Sequence, residues 1–214
     1  MRAGTVSDVG GAAVPELRYP HAMSVSVKLP VRMTVEEFLD WNPGDGQRYE
    51  LVDGVPRAMA PARPTHGLLQ TELTRQIGNH LREHRPECDV VSNPGIVPQL
   101  MSAHNCRVPD LAVTCSPLEP GQLVLSGAVL IIEILSPSNE GETWTNVWAY
   151  TSIASVQEIL VLHSTKLAAE LLRRTSDGAW PERTATVTTG TLRLESIDFQ
   201  MPLADLYART PLAR

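Results

Sequence analysis

Ala128-Val129-Leu130-Ile131-Ile132-Glu133-Ile134-Leu135-Ser136-Pro137-Ser138 is the stretch on which the fold turns. It reads as an apolar strand with one acid, Glu133, set near its end. A second strand-like run, Arg107-Val108-Pro109-Asp110-Leu111-Ala112-Val113, carries Asp110 in its middle. A charge inside a β core is costly unless it is paired or bound to a metal. Two such acids, 23 residues apart on strands that can be neighbours, can hold one hard divalent cation between them. The first function to expect is therefore a metal-dependent hydrolase, with a nuclease as its foremost form.

Working outward, Thr34 followed by Glu37 is a capping-box pattern that opens a short amphipathic helix through Phe38, Leu39 and Trp41. Residues 48–59 read as a β-hairpin turning at Asp53-Gly54. A helix is expected over 64–84, with Leu68, Leu69, Leu73, Ile77 and Leu81 as one buried stripe. Its Arg75, His80 and Arg82 lie off that stripe, on a solvated face, and Pro86 stops it. Residues 89–92 and 96–100 read as a pair of strands around Asn93-Pro94-Gly95. Beyond Glu133 the pattern predicts a helix over 142–153 and strands over 159–162 and 167–174. Segments 180–187 and 191–194 would complete the sheet, and 202–207 would form a closing helix. That order specifies an α/β fold with a mixed central β-sheet flanked by helices. Residues 31–210 are expected to form a single domain, and 1–30, which show no sustained period, a flexible tail.

The bulk composition is that of an ordinary globular chain: 214 residues, 43% hydrophobic and 20% charged. No apolar run reaches the roughly 18 residues of a membrane span. The N-terminus lacks a basic start followed by an apolar segment, so a cytoplasmic location is expected. Cys88, Cys106 and Cys115 follow no zinc spacing and read as three reduced, mostly buried thiols. The net charge of −6 disfavours a protein that coats DNA, but allows an acidic active site beside a locally basic groove. Lys28 and Lys166 are the only lysines, so a catalytic lysine has few places to come from.

Several ordered motifs carry a family resemblance. They are Arg48-Tyr49-Glu50-Leu51-Val52-Asp53-Gly54, His66 opening a helix, Val108-Pro109-Asp110, Ile132-Glu133-Ile134-Leu135-Ser136-Pro137-Ser138, Tyr150, and Val156-Gln157-Glu158-Ile159-Leu160-Val161-Leu162. Over residues 31–208 the chain resembles the Uma2 family, also called DUF820. The resemblance implies a restriction-endonuclease-like, PD-(D/E)xK nuclease fold and metal-dependent phosphodiester hydrolysis. It implies that Asp110 and Glu133 bind Mg²⁺, with Mn²⁺ able to replace it. Glu50 would be a third acid or a partner of the first two, and His66 would orient a phosphate or a water.

The departure lies at the lysine, which in such nucleases polarises the attacking water and offsets developing charge. The Glu-x-Lys position after Glu133 holds Leu135. In the family the lysine is expected on the next helix, four residues before Tyr150, where this chain has Asn146. Of the remaining cations, Lys166 would lie beyond a turn, and Arg107 could point across the sheet but stays protonated and makes a poor base. Two functions follow. One is an Mg²⁺-dependent endonuclease acting on DNA, with Asn146 in the lysine's place. The other is a catalytically degenerate relative that binds nucleic acid or a partner protein. Trp144 and Trp148, one helical turn apart, read as core or homodimer-contact residues.

Overall fold

The structure, a computed structural model, describes residues 32–213, so the tail expected at 1–30 lies outside the described residues. Thr34 and Glu37 form the reciprocal capping box at the start of α1 (Val35–Asp40). Strands β1 (Tyr49–Val52) and β2 (Val55–Ala58) form the hairpin, with Asp53 at φ 50° and Gly54 at φ 80° as its two-residue turn. Both positive angles are what a type I′ turn requires. A side chain on Gly54 would also come within 2.6 Å of Arg32. Helix α2 (Pro64–His84) takes its Pro in the first turn, where a missing N–H costs nothing.

The main sheet is built from β3 (Asp89–Ser92), β4 (Leu111–Thr114), β5 (Ala128–Leu135), β6 (Glu158–His163), β7 (Ala169–Arg173) and β8 (Ala185–Val187), in that spatial order. Only β5 and β6 run parallel, joined by the crossover helix α3 (Glu140–Tyr150). The sheet is thus mixed and the fold α/β, as the sequence predicts. Strands β9 (Thr191–Leu194) and β10 (Phe199–Pro202) pair as a separate hairpin, and α4 (Leu203–Tyr207) follows.

Both faces of the sheet are covered, which is why β5 reads as a continuous apolar run. On one face Leu130, Ile132 and Ile134 pack with Leu69, Leu73, Ile77 and Leu81 of α2, and with the β9–β10 hairpin and α4. On the other, Ile131 and Leu135 pack with Val147 and Tyr150 of α3. Strand alternation puts Glu133 on the α3 side.

Several expectations need correction. Residues 96–100 form no strand: Ile96 makes a single bridge to Arg107, and β3 pairs instead with β4. Pro98 removes a ladder donor there. Asp110 does not sit mid-strand but immediately before β4. Leu68 is 41% exposed, and His66 takes its place on the buried stripe. Residues 191–194 pair with β10 rather than joining the main sheet. Cys88 and Cys115 are disulfide-bonded and only Cys106 is a free, buried thiol. The β3–β4 register sets Asp89 opposite Thr114, which puts the two cysteines across from each other at the next position. Trp148 is 47% exposed, whereas Trp144 packs against the α3-side core. No helix among the described residues is long and apolar enough to cross a membrane.

Candidate active site

Leu111 of β4 faces Ile132 of β5 in an antiparallel register, so one step back Asp110 arrives beside Glu133. Asp110 is fixed from two sides. Its Oδ2 accepts the Ile134 backbone N–H at 2.7 Å, and its Oδ1 accepts from His66 Nε2 at 2.8 Å. His66 is in the first turn of α2, and Gln70, one turn on, donates to the Asp110 carbonyl at 2.9 Å. Helix α2 thus grips both the side chain and the backbone of this acid.

Glu133 is 7% exposed, and its Oε1 accepts the Tyr150 hydroxyl at 2.9 Å. Burial drives its carboxyl well above the usual carboxylate range, and the charge of Asp110 adds to that rise. The Tyr150 hydroxyl, also buried, is pushed up by burial and then by the Glu133 charge.

Glu50 enters from β1, buried beside these acids. Its Oε2 accepts from Asn146 Nδ2 at 3.1 Å, and its Oε1 lies 4.0 Å from Arg107 Nη1. Burial raises its carboxyl above the usual range, while Arg107 and the Asn146 amide pull the other way. Arg107 reaches the same cluster. Its Nη1 donates to Asn146 Oδ1 and its Nη2 to Asn105 Oδ1, each at 3.0 Å. Asn105 Oδ1 also accepts the Asp53 backbone N–H at 2.9 Å, which ties the hairpin turn to the segment before β4.

Glu50, His66, Asp110, Glu133 and Asn146 line one cleft of about 230 Å³, so all five residues singled out from sequence come together. Arg48, Arg57 and Arg63 line the same cleft. Arg57 and Arg63 were not singled out from sequence, and Arg48 entered only as part of the Glu50 motif, although the turn at Asp53-Gly54 fixes Glu50 opposite Arg57. Lys166 lies beside Glu170 and is not among the lining residues. Among the described residues no cluster of three or more His, Cys, Asp or Glu forms a metal site by itself.

The model of the Uma2 family, described as "Putative restriction endonuclease", matches residues 35–204. The chain belongs to the Uma2 family. It is 27% identical over 161 residues to the uncharacterized protein slr1290 of Synechocystis sp., covering 74% of this chain and 83% of that one. Its fold is shared with the crystal structure of a "putative nuclease belonging to DUF820" from Anabaena variabilis. That likeness has a TM-score of 0.67 at 17% identity and covers 82% of this chain and 98% of the other. The Uma2 match contains every residue of the cleft named above.

Proposed function

We propose that this chain is a metal-dependent endonuclease that hydrolyses DNA phosphodiester bonds, with Asp110 and Glu133 as ligands of Mg²⁺ or Mn²⁺. The observation that carries the reading is the cross-strand meeting of Asp110 and Glu133 at the floor of a cleft rimmed by arginines. Two carboxylates suit Mg²⁺, which keeps several waters and needs few protein oxygens. The fit is electrostatic as well: an acid held above its ordinary range first by burial and then by a neighbouring acid is relieved by a divalent cation. A bound ion would supply a water of lowered pKa and would neutralise charge on the phosphate.

The chain's own residues do the rest. His66 fixes Asp110, and the Tyr150 hydroxyl holds one Glu133 oxygen so that the other can face the cleft. Arg48, Arg57 and Arg63 offer guanidinium groups to backbone phosphates, giving an acidic protein a local basic rim. In this reading residues 31–210 are a single Uma2-like endonuclease-type domain.

Nicking of supercoiled plasmid tests it. The native chain should cleave with Mn²⁺ or Mg²⁺ and not with EDTA. Asp110→Asn and Glu133→Gln should each lose at least about 100-fold in rate, the scale of removing a group that stabilises developing charge. Metal-independent cleavage, or equal rates in the variants, would overturn the proposal. The second reading, a binding module without turnover, draws on α3, which carries no basic residue, and on Asn146, an uncharged amide already engaged by its neighbours. DNA binding that persists in a native chain with no cleavage would favour it.

A further inference from the structure

We propose that the Cys88–Cys115 disulfide is a reversible exchange site for low-molecular-weight thiols, and that its state sets how firmly Asp110 is held. Its consequence for cleavage rests on the nuclease reading of the cleft; the exchange chemistry does not.

The bond joins the residue before β3 to the residue after β4, 27 positions apart. Strand β3 is the edge of the main sheet, and none of its four side chains is fully buried. Apolar burial therefore holds it only weakly, and the covalent link carries a larger share of its attachment. Strand β4 is four residues long, so Cys115 and Asp110 flank its two ends. The β3–β4 ladder runs from the disulfide to the acid. Past Ser92 opposite Leu111, the Asn93 N–H donates to the Asp110 carbonyl at 3.0 Å. Gln70 donates to the same carbonyl and, at 3.3 Å, to Asn93 Oδ1. One end of the ladder is closed by sulfur and the other by the backbone of a site residue. Opening the first end lets β3 fray toward the second.

The sulfur is within reach of a small molecule. Cys88 is only 4% exposed, but it lines a pocket of about 440 Å³ between α2 and β3, with Thr74, Asn79 and Arg82 across from it. Cys115 is half-buried. A thiolate entering the pocket attacks Cys88 Sγ, the bond to Cys115 breaks, and the Cys115 sulfur leaves with the electron pair and takes a proton. A second thiolate attacks the sulfur now bound to Cys88, which releases Cys88 to take a proton in its turn. Two thiols are oxidised to one small disulfide, and their two protons end on the two cysteines. Glu87 Oε1, 3.7 Å from Cys88 Sγ, is placed to accept the new S–H. The same small disulfide drives the reverse exchange, so no other oxidant is required. The free thiol of Cys106 is 1% exposed and pushed up to about 11 by burial, which keeps it protonated and outside the exchange.

The full native chain in millimolar reduced glutathione, without denaturant, should gain two alkylatable cysteines, mapped by peptide mass to Cys88 and Cys115. Oxidised glutathione should reverse this. Reduction should lower the metal-free Tm by about 5 °C or more. It should also speed deuterium exchange at the Asn93 amide about tenfold. Asn79→Trp, at an exposed position lining the pocket, should slow reduction about threefold or more. Cys88→Ser/Cys115→Ser should reproduce the shifts in Tm and exchange and be indifferent to glutathione; if it fails to fold, the native chain still decides. A disulfide that resists glutathione in the folded chain, or whose reduction leaves Asn93 exchange unchanged, would overturn the proposal. Mn²⁺ affinity should fall about tenfold on reduction. Faster Asn93 exchange in a chain that binds no Mn²⁺ and cleaves nothing supports the exchange site and removes the nuclease reading. Equal Mn²⁺ affinity in both redox states, with cleavage intact, overturns the link to Asp110 and leaves the nuclease reading standing.

Discussion

Glu133 is a residue the fold tolerates at a cost. It lies on a strand otherwise occupied by Ala, Leu, Ile and Val, and burial together with Asp110 holds its carboxyl well above the usual range. A carboxyl raised in the folded state binds a proton there that the unfolded chain has released. Metal-free stability should therefore fall as pH rises above about 4.3, the ordinary glutamate value, and remain reduced beyond the folded-state pKa. Glu133→Gln removes that penalty. It should raise the metal-free Tm at pH 8 by several degrees, bring little gain at pH 4, and flatten the pH trend, all measurable by thermal unfolding. A variant less stable than the native chain at pH 8 would contradict the account. At this scale the sequence is partly legible: an acid amid apolar residues announces itself. Arg107 does not, because its partners are Asn146, 39 residues away, and Glu50 on β1.

Elements position the site through a few backbone devices. The turn at Asp53-Gly54 sets the register that aims Glu50, and Asn105 staples the same turn to the segment leading into β4. Gly54 has φ 80° and no room for a Cβ against Arg32. Gly54→Ala should destabilise the chain by about 1–3 kcal/mol, read by urea unfolding, and should weaken metal-dependent cleavage because Glu50 shifts with the hairpin. Unchanged stability would refute that geometry. The hairpin and α2 were legible because their signals are local, an Asp-Gly turn in one case and bounding prolines in the other. The helix stripe failed at Leu68, about 100° around the helix from Leu69 and so turned toward solvent. The strand expected at 96–100 failed because β3 finds its partner in distant β4, and the Cys88–Cys115 bond is hidden for the same reason.

At the scale of the whole molecule, two layers of helices and a small hairpin bury both faces of a mixed sheet, and the cleft opens where β4 begins and β5 ends. The α/β class and its mixed sheet followed from the order of elements. The meeting of Asp110 with Glu133 did not, since it depends on a strand register that apolar runs leave undetermined. An acidic chain with arginines gathered at one cleft is likewise visible only after folding. The most direct test of the central claim is calorimetric titration of Mn²⁺ into the native chain and into Asp110→Ala/Glu133→Ala. The account predicts one site in the native chain, proton release on binding as Glu133 ionises, and no binding in the double variant. Binding that survives in the double variant, or is absent from the native chain, would contradict it.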